Sequence, residues 1–99
     1  MRTLKPARLQ TVANESLTAL LREYAQRVLR HGKNQAQMAH DAWLDESYVS
    51  RLLSGERSNP SREAIILLGG WGLELVVEEV DELLLAADYK PLVLPVSLR

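Results

Sequence analysis

From Ser16 to His31 apolar residues return every three or four positions, at Leu17, Leu20, Leu21, Tyr24 and Val28, with Arg22, Glu23, Gln26, Arg27 and Arg30 between them. This is the spacing of an α-helix with one apolar face. Gly32 is expected to stop it, after Arg30 and His31, whose positive charge suits a helix C-terminus. Asn34 then stands where an N-cap is needed, its side chain accepting a backbone N–H that the next helix leaves unpaired. That second helix is expected from Gln35 to about Ala42, burying Met38, Ala39 and Ala42. The small residues Ala36, Ala39 and Ala42 suit two helices that cross steeply and approach closely. Trp43, Leu44 and Asp45 form a tight corner, and Asp45 caps a third helix that runs to about Ser54 and ends at Gly55.

At about 100° per residue, the third helix separates cleanly into two sides. Val49, Leu52 and Tyr48 fall on one, and Glu46, Ser47, Ser50, Arg51 and Ser54 on the other, with Leu53 between them. The second face is polar, built of small to medium side chains, and shaped to enter a groove. Glu56 to Asn59 is a polar loop, and Pro60 and Ser61 open a fourth helix with Ala64, Ile65, Leu67 and Leu68 on its apolar side. Gly69, Gly70 and Gly72 predict a turn, with Trp71 as a plug in the core. Leu73 to Glu79 fits either a strand or the entry to a helix. Glu78 to Asp88 is helical, with Val80, Leu83, Leu84 and Ala87 on one stripe.

The ends are less regular. Residues 1–15 read as a basic arm or an extra turn (Arg2, Lys5, Arg8, with Pro6 able to open a helix), and 16–90 as the domain proper. Pro91 and Pro95 interrupt residues 91–99, where Leu92, Leu94, Val96 and Leu98 alternate as in an extended segment. So apolar a tail is expected to pack on its own domain or to pair with a second copy.

Composition narrows the picture. Ninety-nine residues make one domain. With no Phe and no Cys, the core must come from Leu, Val, Ile and Ala, which suits packed helices and excludes disulfides and thiolate metal sites. No apolar run is long enough to span a membrane and no signal peptide is visible, so a cytoplasmic protein is expected. The net charge of −1 conceals an asymmetry: residues 1–62 carry ten Lys and Arg against six Asp and Glu, residues 63–99 two against seven. Such a split points to an electrostatic partner for one end. His31 and His40 lack a third ligand at a useful spacing, so no metal or other cofactor is expected. With no nucleophile–base pair and no phosphate-binding glycine loop, no enzyme is expected either.

These residues together carry a resemblance. Gly32-x-Asn34-Gln35, Met38-Ala39, Tyr48-Val49-Ser50-Arg51, Gly55-Glu56-Arg57 and Asn59-Pro60-Ser61-Arg62-Glu63 follow one another as in the lambda-repressor-like, XRE-type helix-turn-helix family. Glu79-Val80-Asp81 and Leu83-Leu84-Leu85-Ala86-Ala87 are similar to the last helix of many members. The likeness covers about Leu17 to Leu92. It departs from the family at Trp43 and Asp88, where glycine is usual, at Lys33, where an apolar residue is usual, and at Leu53, usually polar. At the corner, either the geometry differs or Trp43 tolerates strain because its ring is buried.

The resemblance implies an all-α, five-helix domain with an extended C-terminal tail, and a regulator of transcription, most simply a repressor, that binds double-stranded DNA as a homodimer. Its third helix would enter the major groove, with Glu46, Ser47, Ser50 and Arg51 toward the bases. Lys33, Asn34, Gln35, Arg57, Ser58, Asn59, Ser61 and Arg62 would meet phosphates. Leu92, Leu94, Val96 and Leu98 are the expected dimer contacts. Asp41, Asp45, Glu46 and Glu56 bring four acids near the same face. The alternative is an antitoxin-like or other protein-interaction module on the same fold, its acidic C-terminal half engaging a protein partner.

Overall fold

The computed structural model describes residues 5–93, with side chains from Leu17 to Val93. Among these residues the chain is all-helical: α1 (Lys5–Arg30), α2 (Gln35–Asp41), α3 (Glu46–Ser54), α4 (Arg62–Leu67) and α5 (Val77–Ala86). Helix α1 begins at Lys5 rather than Ser16, so the backbone of residues 5–15 continues the helix expected from Ser16. Pro6 is compatible with this, because its missing N–H belongs to the first turn, where no helical partner exists. The side chains of Arg2, Lys5 and Arg8 lie outside the described residues, as do Leu94, Val96 and Leu98.

Local chemistry sets the helix ends. Gly32 (φ +94°) lets the chain reverse after α1, and the Lys33 N–H closes back on the Val28 carbonyl at 3.0 Å. Asn34 caps α2 reciprocally: its Oδ1 accepts from the Gln37 N–H at 2.8 Å, and its own N–H donates to Gln37 Oε1 at 3.3 Å. Asp45 caps α3 through the Ser47 N–H at 3.1 Å, and Ser61 caps α4 through the Ala64 N–H at 3.1 Å. Helix α5 opens with the Glu79 carboxylate accepting the Val76 N–H at 3.3 Å.

The core gathers Leu17, Leu21, Tyr24, Ala25 and Val28 of α1 with Met38, Ala39 and Ala42 of α2 and Val49 and Leu52 of α3. Ile65, Leu68, Leu73, Leu75, Val80, Leu83 and Leu84 complete it. Of the three alanines expected at the crossing, Ala39 and Ala42 are buried and Ala36 is exposed. Tyr24 donates to the Glu82 carboxylate and Arg27 pairs with Glu79 at 2.8 Å, tying α1 to α5 along one edge.

The glycine-rich segment does make a turn, but a wide one. Residues Leu68–Gly72 continue α4 with an i→i+5 bond, the Leu73 N–H to the Leu68 carbonyl at 2.7 Å. This turn passes so close to α2 that a Cβ on Gly72 would stand 2.7 Å from the Met38 carbonyl oxygen and 2.9 Å from Leu68 Cδ1. The expectation of Trp71 as a core plug is wrong: the extra residue in the turn swings its ring outward, 57 % exposed, and Leu68 and Leu73 fill the interior instead. Residues Leu73 to Val76 form neither strand nor helix, and Glu74 takes a left-handed φ of +56°.

At Trp43 and Asp88, where the resemblance expects glycine, the backbone does adopt positive φ, +56° and +70°. The corner geometry is therefore of the glycine kind, at a cost of about 1–2 kcal/mol for a residue with a Cβ. Burial does not compensate the cost at Trp43, a residue 72 % exposed rather than packed inside. The start of the tail is tied to its own domain: the Leu92 N–H donates to Asp81 Oδ1 at 2.7 Å, while the Leu92 side chain stays exposed.

Replacing Gly72 by Ala is expected to lower stability by about 1–3 kcal/mol, because backbone, not a flexible side chain, blocks the new methyl. Gly70→Ala is the internal control, since nothing lies within 4 Å of its Cβ position. Urea denaturation of the two variants checks this; equal midpoints would contradict the close approach.

Candidate nucleic-acid interface

Helix α3 is fixed from both sides and presents its polar face outward. Val49 and Leu52 are buried, Tyr48 and Leu53 are half-buried, and Glu46, Ser47, Ser50, Arg51 and Ser54 are exposed. The Asp45 carboxylate holds the N-terminus through the Ser47 backbone N–H and hydroxyl. At the other end Gly55 turns left-handed (φ +87°), and the Arg22 guanidinium reaches across from α1 to donate to the carbonyls of Leu53 at 2.7 Å and Ser54 at 2.9 Å. A cation there also suits the negative end of the helix dipole. The wheel places Arg22 on the free surface of α1; a partner on a distant segment leaves no periodic signal.

The Arg51 side chain makes no hydrogen bond or ion pair with any described residue, which leaves its fork of donors open. Beside it the Arg57 N–H closes on the Arg51 carbonyl at 3.0 Å, and the Arg57 guanidinium lies over the Tyr48 ring, 5.3 Å from its centre. Tyr48, Arg51 and Arg57 are thus brought together at the end of α3. Ser58 is half-buried and Asn59 exposed. The Ser61 hydroxyl oxygen is engaged as the α4 cap, and Arg62 donates to the Lys90 carbonyl at 3.3 and 3.4 Å. At the start of α2, Asn34 is engaged as its cap and Gln35 is half-buried.

Lys33 is not placed as a free cation at this edge. Its side chain is 10 % exposed and its Nζ donates to Asp41 at 2.8 Å, Glu74 at 3.0 Å and the Trp71 carbonyl at 3.1 Å. A lysine where the resemblance expects an apolar residue packs its stem as that residue would, and its head finds acceptors at the rim. Burial, the largest single influence, pulls the Lys33 pKa down, but the hydrogen bonds to Asp41 and Glu74 outweigh it and the ammonium stays charged.

The same contacts change the account of the acids. The hydrogen bond from Lys33 holds the Asp41 carboxyl below the usual range, and that from the Ser47 hydroxyl does the same for Asp45. Both carboxylates are therefore engaged in the fold, and of the four acids Glu46 and Glu56 are the two left exposed with no side-chain partner among the described residues. No described helix is long and apolar enough to cross a membrane. The chain matches no known protein family, no characterised protein and no solved structure.

The paired carboxylates contribute a stabilisation that acid removes. Arg27 holds the Glu79 carboxyl low by hydrogen bonding, as Lys33 and Ser47 do for Asp41 and Asp45. The unfolded chain takes up these protons near its ordinary values of about 4, the folded one only at lower pH, so the stabilisation is present above that range and is lost as pH falls through the folded values. Melting temperature followed from pH 6 downward is expected to decline below about 4, and less steeply in Asp41→Asn. A melting temperature that rose on acidification would contradict the assignment.

Proposed function

We propose that this protein binds duplex DNA sequence-specifically as a homodimeric transcriptional regulator, most simply a repressor that occupies its operator. The observation that carries this reading is the outward face of α3. Glu46, Ser47, Ser50 and Arg51 are all exposed on a helix whose opposite face is buried and whose two ends are held by Asp45 and Arg22. An α-helix fits the major groove, and small hydroxyl residues beside a long cationic one allow it to approach base edges closely. Rigid support matters because base readout depends on side chains held in register.

In this arrangement Arg51 donates two parallel hydrogen bonds to a guanine edge, and Glu46 accepts from a cytosine amino group. Arg57, Asn59 and the loop before α4 lie against the phosphate backbone. Two copies reading half-sites about one helical turn apart supply the length of sequence that one helix cannot. The exposed Leu92 and the apolar tail beyond it are the natural place for the second copy to meet the first.

Selection of bound sequences from a random duplex pool, followed by mobility shifts over a salt series, tests the reading. The expected outcome is a half-site-symmetric consensus whose binding weakens steeply with salt. Arg51→Ala is expected to cost about 1–3 kcal/mol and to relax preference at one base pair. Failure to enrich any sequence, together with a protein that co-purifies, would favour the interaction-module reading instead.

A further inference from the structure

We propose that the cleft lined by Trp43 and Trp71 is a binding site for an arginine side chain presented by a partner protein. The two rings meet edge to face, 6.1 Å between centres at 74°, where the α2–α3 corner faces the wide turn after α4. They wall an open cleft of about 650 Å³ with Gly70 on its lining and His40, Asp41 and Glu74 around it. This inference does not rest on the DNA reading: α3's polar face takes no part in it.

Core burial does not account for this pair. Neither ring belongs to the core, and Trp43 holds its ring in water from a backbone conformation that glycine would adopt without strain. A strained residue that gains little packing in return points to a use other than stability.

The chemistry of the cleft selects its occupant. Indole faces attract cations more strongly than other aromatic rings do. The charges shown to solvent are negative, since Asp41 is 46 % and Glu74 65 % exposed while Lys33 between them is 10 % exposed. Lys33 engages one oxygen of Glu74, and Oε1 of that residue has no partner among the described residues. A guanidinium stacks flat on an indole and still donates in its own plane to such an oxygen, which a compact ammonium does less well. A second copy fits poorly, because two-fold pairing of this patch would set Asp41 and Glu74 against themselves. A free small molecule fits poorly too: rings more than half exposed cover the tip of a side chain, not most of a ligand's surface.

The chain has two tryptophans and both line this cleft, so its two indole N–H resonances report on the site directly. Titration with a blocked glycine-arginine-glycine tripeptide is expected to move both resonances to saturation, while the citrulline counterpart, equal in shape but uncharged, leaves them in place. Trp43→Gly is expected to weaken binding, read from the Trp71 signal, by about three- to thirtyfold without lowering the melting temperature. Glu74→Gln, which keeps both rings, weakens it by a smaller factor. Four results would overturn the proposal: no movement with the arginine peptide; equal movement with citrulline or lysine in its place; free arginine binding as tightly as the peptide; or resonances that shift with protein concentration alone, the mark of self-association.

Discussion

Where the wide turn after α4 passes α2, two stretches of backbone come so near that no side-chain carbon fits between them, and Gly72 beside Met38 and Ala42 is what permits it. The position of α2 follows from that contact. So does the position of α3, since the corner between them is closed by the Leu44 N–H on the Ala39 carbonyl at 2.9 Å. Lys33 binds the same junction by charge, joining the end of α2 to Trp71 and Glu74. A steric fit and an ionic clasp therefore act at one place. The steric part is indifferent to pH and salt; the ionic part is not.

On the other side of α3, α1 supplies both apolar contact and a guanidinium cap. The helix proposed to read DNA is held by groups that belong to three other parts of the chain, and none of them lies on its outward face. Substitution at Glu46, Ser50 or Arg51 is thus separable from folding, whereas the Ser47 hydroxyl also serves the Asp45 cap. The four acids near the face proposed to meet DNA divide on the same principle: Asp41 and Asp45 are occupied by structure, while the Glu46 and Glu56 side chains have no partner among the described residues.

What was readable in the sequence was what is local or periodic. The caps Asn34 and Asp45, the stop glycines Gly32 and Gly55, and the two sides of α3 all depend on neighbours within a turn or two, and each stands as expected; Ser61, expected only to open α4 and meet phosphate, proves to be its cap. Contacts between distant segments were not readable: Arg22 on Leu53 and Ser54, Lys33 on Glu74, Gly72 on Met38. Trp71 shows the reason most plainly. A large apolar residue among glycines reads as buried, but an i→i+5 turn adds one residue to the pitch, and that phase shift decides which side chain faces inward. Trp43 departs in the same direction: the resemblance left open a changed corner or a buried ring, and the structure has neither, a left-handed corner with the side chain outward.

The placement of the two indoles has a practical corollary for anyone following this protein in solution. Tryptophan emission is commonly taken to report the loss of a core, yet here no tryptophan is in the core, and both rings already meet water in the native state. Their emission will sit near the wavelength of free indole before any denaturant is added and will shift little as the chain unfolds. Helical circular dichroism will follow the global transition. Fluorescence will instead report what happens at the corner, which makes the two signals independent observers of one small molecule.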